Sequence, residues 1–261
     1  MQAQTHFTRR YVVTSIAIAM SIPPSLLVQA LPLHAQASGR FVGNLSFDTE
    51  VRDEVYRFKL RENYGYLDSQ GIMWQAKAGL LTDGASIPRI FWPIVGHPYE
   101  GLYLDAAVIH DFYCMEKNRY RKWQDVHHVF HEAMLTKGVG PTKAKLMFFA
   151  VWRFGPRWEI SELINCTRDP ANGEYCDSAT PSSYKVTSSE VLGFDAEVEK
   201  EVLRKVDAQI QKDNPTLEQL TEAEAGLPSL QRGERGFEVQ ADTARGRYFQ
   251  NPNRIPLVEP Q

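Results

Sequence analysis

His110 and Asp111 stand side by side inside an otherwise apolar helical pattern, and Asp125 follows one predicted helix further on. These residue types can do chemistry together. An imidazole oriented by one carboxylate acts as a general base on water, and a second carboxylate holds a cation against a developing oxyanion. Burying an imidazole and two acids between apolar helices is costly unless the groups are paired or used. The same residues also support a structural reading, a polar staple between helices, because buried polar side chains normally find partners. Asp83, Ser86 and Tyr113 are further candidates to line such a site, although Ser86 lacks the Gly-x-Ser-x-Gly context of a nucleophile elbow. His127 and His131 have the i, i+4 spacing with which two imidazoles share one zinc ion. No glutamate follows His127, as a metalloprotease motif requires, so the ordinary reading of that pair is solvated helix histidines.

The elements that would position these groups are legible as periodicities. From Gly101 to Cys114, Tyr103, Ala106, Ala107, His110 and Cys114 fall on one helical strip, while Leu104, Val108 and Phe112 form a second apolar face. Cys114 reads as a small buried residue on the His110 side. A second helix over Arg121 to Leu135 carries Val126, Val129, Phe130, Ala133 and Met134 on its apolar face. A short connection sets the two helices antiparallel, which is expected to bring Asp125 toward His110. Pro141 suits the first turn of a third, largely apolar helix ending at Phe154 before Gly155-Pro156, and Trp158 is expected to pin the exit. Upstream, Phe41 to Ala78 alternates β-formers with turn residues and predicts one or two antiparallel hairpins. Thr82 to Gly96 reads as an ordered apolar loop, in which Pro88 and Pro93 oppose regular helix. The fold class is therefore α+β, a small antiparallel hairpin region packed on a core of about three helices, followed by an extended helical or disordered tail.

The chain has 261 residues, 43% of them apolar, enough to bury a core. Its formal charge of -3 lacks the clustered basic field that would gather nucleic acid. Residues 1–37 read as an export signal. Arg9 and Arg10 open an apolar stretch from Tyr11 to Leu33, and Ala35-Gln36-Ala37 offers a small-residue cleavage site. A periplasmic or secreted protein cut near Ala37, with no stable transmembrane span, is the expectation. Cys166 and Cys176, in the polar segment 161–184, suit a loop-closing disulfide in that compartment. From 185 to 261 the chain is acidic, with one amphipathic helix in which Val198, Val202, Leu203, Val206 and Ile210 share a face. Its end, from Pro228, has a composition that favours disorder or order on a protein partner.

The runs TDGASIPRIFWPIVG and AAVIHDFYC, then Asp125 with Phe130 and Ala133-Met134, then AVWRFG, resemble a phage and bacterial family of unknown function, family 1353, over about Gly39 to Trp158. That resemblance implies a globular domain at 39–160 and, through its phage setting, envelope or virion work. His110-Asp111-Phe112-Tyr113 also resembles, more loosely, the His-Asp core of secreted phospholipases A2. That likeness implies His110 as base, Asp125 as orienting acid and Asp111 as Ca²⁺ ligand. The adjacent cysteine pair and the glycine-rich calcium loop of that family are missing. The functional expectation is an exported hydrolase of cell-envelope components, lipid ester or peptidoglycan, with Ca²⁺ or Zn²⁺ as its metal. The alternative is a non-catalytic envelope or assembly module with a structural His/Asp cluster.

Overall fold

Asp68 shows how local chemistry sets the first sheet. Its carboxylate accepts from the backbone N–H groups of Gln70 and Ile72 at 2.9 and 2.8 Å and from Trp74 Nε1 at 2.8 Å. Gly71, at φ +79°, supplies the left-handed residue that closes this turn. The turn joins β4 (Tyr64–Leu67) to β5 (Met73–Ala76), and β1 (Arg40–Val42) pairs with the other edge of β4, all antiparallel. A second antiparallel sheet runs in the order β2 (Phe47–Arg52), β3 (Val55–Leu60), β6 (Leu81–Thr82). The hairpins expected between Phe41 and Ala78 are therefore present. The computed structural model describes residues 39–240 except 53–54, 83–86, 89–90, 96–100, 164, 170–172 and 178–182. For 50–52, 55–57, 95, 162–177, 183 and 240 it describes backbone alone, within those limits. The expected export segment and the chain beyond 240 lie outside the described residues.

After a four-residue helix, α1 (Trp92–Val95), with Pro93 in its opening turn, come the three expected helices: α2 (Leu104–Cys114), α3 (Trp123–Thr136) and α4 (Pro141–Phe154). Every residue of α2 from Asp105 to Cys114 is buried. It is a core helix enclosed by β4, β5, β6 and α3, so its sequence needs no polar face. Asp105, in its first turn, is reconciled with burial by Tyr64 Oη, which donates to it, and by Lys137 Nζ at 2.7 Å. The apolar face of α3 is buried as its periodicity predicts, with Val126, Phe130, Ala133 and Met134 almost inaccessible. The expectation of solvated histidines on α3 is corrected. His127 and His131 are buried because α3 has a neighbour on each side, α2 and α4, and the rings of Phe148 and Trp152 cover the second flank. A single apolar stripe counts one neighbour and misses the other.

Residues 185–240, expected as an appendage, are packed on the helical core. β10 (Ser183–Gly193) is the centre of an antiparallel sheet between β7 (Arg157–Leu163) and β11 (Gln231–Gln240). Thus the stretch after Pro228 is ordered as far as 240, contrary to its composition. Trp158 fastens this sheet to the helices as anticipated, donating through Nε1 to Arg121 O at 2.7 Å. α5 (Ala196–Asp213) is capped by Asp195 and buries Leu203, Val206 and Ile210, while Val198 is left exposed. α6 (Leu217–Ala225) opens with a capping box between Thr216 and Gln219. An ion pair also ties α5 to α4. Arg153 donates to both carboxylate oxygens of Glu199 at 2.6 Å, and the two side chains are 1% and 6% exposed. β8 (Asn165–Asp169) and β9 (Gly173–Asp177) form a hairpin in which Cys166 stands opposite Cys176. Among the described residues no helix is long and apolar enough to cross a membrane.

Candidate functional site

His110 enters the interface of α2 and α3 and meets another histidine there. Its Nε2 lies 2.9 Å from Nδ1 of His127, with ring centroids 5.0 Å apart and planes inclined by 28°, and the Phe130 ring packs at 4.8 Å. One turn on along α2, Cys114 Sγ stands 3.6 Å from Nε2 and 3.8 Å from Nδ1, nearly equidistant from the two ring nitrogens. Asp111 Oδ1 is 3.6 Å from Nδ1, an ionic contact rather than a hydrogen bond, while its Oδ2 accepts from Thr82 Oγ1 at 2.5 Å. Both imidazoles are sealed, His110 at 1% and His127 at 0% exposure.

Electrostatics assigns the protons. Burial alone would depress the His110 pKa, but the Cys114 sulfur and the Asp111 carboxylate outweigh it and raise the group to about 10. Burial, and then the neighbouring His110 charge, hold His127 well below the usual 6.5. His110 is therefore the cation and donates through Nε2–H to a neutral His127. His127 then carries its own proton on Nε2, which finds no acceptor among the described residues. That edge of the ring rests on Gly155, where an added Cβ would stand 3.2 Å from Nε2 and 2.3 Å from Val151 O, so glycine is what lets the imidazole fit.

The predicted residues are only partly brought together. His110 and Asp111 are in contact, but Asp125 does not reach them. It is exposed on α3, its side chain makes no hydrogen bond or ion pair among the described residues, and it borders a cleft of about 890 Å³ whose walls include Trp74, Arg121, Glu132 and Trp158. Asp125 and His127 are two residues apart, about 200° around a helix. With His127 turned to α2, Asp125 must face away. Tyr113 is also turned from His110. Its hydroxyl accepts from Gln75 N at 3.0 Å, and its ring packs edge-on to Trp74. Asp83 and Ser86 lie outside the described residues. Of the expected zinc pair, His127 meets His110 through Nδ1, and His131 packs on Phe148, its pKa lowered to about 4 mainly by burial. Among the described residues no three His, Cys, Asp or Glu side chains are arranged to hold a metal ion. Among the described residues, then, neither the Ca²⁺ nor the Zn²⁺ expectation finds a three-ligand set. The residues that sequence reasoning missed are His127 as the partner of His110, and Thr82 behind Asp111. The i, i+4 placement of His110 and Cys114 was visible, whereas the contact from Thr82 had no sequence signal.

Residues 58–151 match the family model described as "Protein of unknown function (DUF1353)". Two curated relatives come from Sinorhizobium fredii (strain NBRC 101917 / NGR234). Uncharacterized protein y4iH is 48% identical over 99 residues, which cover 38% of this chain and 41% of the relative. Uncharacterized protein y4jT is 40% identical over 125 residues, 46% of this chain and 37% of the relative. The chain thus spans less than half the length of either relative. No solved structure matches it. The segment 58–151, which holds Thr82, His110, Asp111, Cys114 and His127, is accordingly the part of the chain that matches the DUF1353 family model, the family its motifs resemble.

Proposed function

We propose that this protein is an exported, non-catalytic module of the cell envelope, in which His110, Asp111, Cys114 and His127 form a buried polar fastening between α2 and α3. One observation carries this reading: the 2.9 Å contact between His110 and His127, two side chains closed to solvent on every side. A general base must be reachable by the group whose proton it takes, and neither described cleft is lined by His110. Export rests on Arg9, Arg10, the apolar stretch and Ala35-Gln36-Ala37. The register that sets Cys166 against Cys176 agrees with it, because opposed residues of an antiparallel pair lie about 4.5–5.5 Å apart at Cα, within disulfide reach. Thiol titration of the denatured, periplasmically expressed protein should count one free cysteine before reduction and three after. Three before reduction would remove the disulfide.

The hydrolase reading keeps one specific support. The sulfur of Cys114 and the carboxylate of Asp111 flank the His110 ring, the residue types of a nucleophile, base and acid. His110→Ala separates the two readings. As a fastening it lowers thermal stability by several degrees and changes no turnover of lipid esters or peptidoglycan, because there is none to change. A wild-type protein that hydrolyses either substrate, and loses that activity in a still-folded His110→Ala variant, refutes the module and establishes the enzyme.

A further inference from the structure

We propose that the pocket between the turn after β5 and the C-terminal end of α2 binds a single-chain aliphatic anion, its chain on Leu80, Leu81, Phe112 and Met115 and its head between Lys77 and Lys117. The pocket encloses about 380 Å³, within the range of small-ligand sites and too small for a two-chain lipid. Its wall is apolar, while its two charged residues carry the same sign. Both lysines are exposed, and among the described residues neither side chain makes a hydrogen bond or an ion pair, so their ammonium groups are free to meet a ligand. Glu116, the acid next to Lys117 in sequence, is turned to Arg235 and does not neutralise it. A lysine is a mobile point charge on an aliphatic stem, suited to a compact anionic head above an apolar slot.

The pocket is also held in shape without a ligand. Leu60 N donates to Leu80 O at 2.8 Å and Gly79 N donates to Leu60 O at 2.7 Å, which ties the turn to β3, and Gly79 takes φ +83° to make it. Asn118 Nδ2 donates to Phe112 O at 2.9 Å, which fixes the opposite wall. A preformed slot spares a ligand the cost of ordering its site.

The test uses the purified full chain and titrates decanoate and 1-decanol by calorimetry, both below their aggregation limits. Decanoate should bind saturably at one site, and Lys77→Glu/Lys117→Glu should weaken it by about tenfold or more while leaving decanol binding unchanged. Leu81→Asp should weaken both ligands. The lysine variant changes exposed residues only, so its melting temperature should equal that of the wild type. Failure of decanoate to bind saturably, or binding that survives charge reversal, overturns the proposal. Binding only to phosphatidylglycerol vesicles, with none to free decanoate, also overturns it in favour of a membrane surface.

Discussion

Glu199→Gln tests whether the segment after 185 belongs to the same cooperative unit as the family domain. The substitution keeps side-chain size and removes the charge that Arg153 meets. Removing one partner of a buried ion pair ordinarily costs about 3–5 kcal/mol, because the other charge is left in an apolar setting. Arg153 would retain Glu224 Oε1 at 3.3 Å and Pro228 O at 3.2 Å, which places the expected loss at the lower end, about 3 kcal/mol. For a unit of this size each kcal/mol moves the melting temperature by about 2–4 °C, so a fall of about 6–12 °C is expected. Differential scanning calorimetry on the variant and the parent reads this directly, and one transition should remain. Arg153→Met/Glu199→Leu should recover most of the loss, since a well-packed apolar pair avoids desolvating two charges. A Glu199→Gln protein that melts within 1 °C of the parent would refute the claim that α5 is bound to α4 through this pair. So would two separate transitions in the parent.

The histidines predict a stability maximum near pH 6.5. His110 has a raised folded pKa, about 10, so its contribution is complete below the unfolded value near 6.5 and is lost as pH rises from there toward 10. His127 and His131 are depressed, the latter to about 4, so the unfolded chain takes up more protons below 6.5 and stability falls as the solution is acidified. Each proton contributes a slope of at most about 1.4 kcal/mol per pH unit, and urea midpoints from pH 4 to 10 should trace both limbs. In a His110→Phe variant the alkaline limb should flatten, and one that persists unchanged would contradict the assigned charge.

The sequence disclosed what depends on one neighbour and concealed what depends on two. The helices, the hairpins, the α+β class and the burial of Cys114 follow from periodicity and turn chemistry, which are local. Placing Asp125 beside His110 required the rotation of α3 about its axis, and that is set by α2 and α4 together. His127 looked like a surface residue for the same reason. β11 was hidden because Arg232, Glu234, Arg235 and Glu238 make a polar strand whose pairing with β10 is long-range. Its composition resembles that of a disordered tail, but its register with a central strand overrides it. Arg153 gave no warning either, since a basic residue near a helix C-terminus ordinarily faces water, and its acidic partner is 46 positions away.

The enclosure of α2 has a kinetic consequence. A helix at the rim of a domain can detach and close again while the rest stays folded, but one wrapped by β4, β5, β6 and α3 has no such local route. The backbone amides from Val108 to Cys114 are then freed only when the whole domain opens. His110 and Asp111 therefore sit on an element closed in on all sides by its neighbours, and any recognition that requires movement falls to the turns and strands around it.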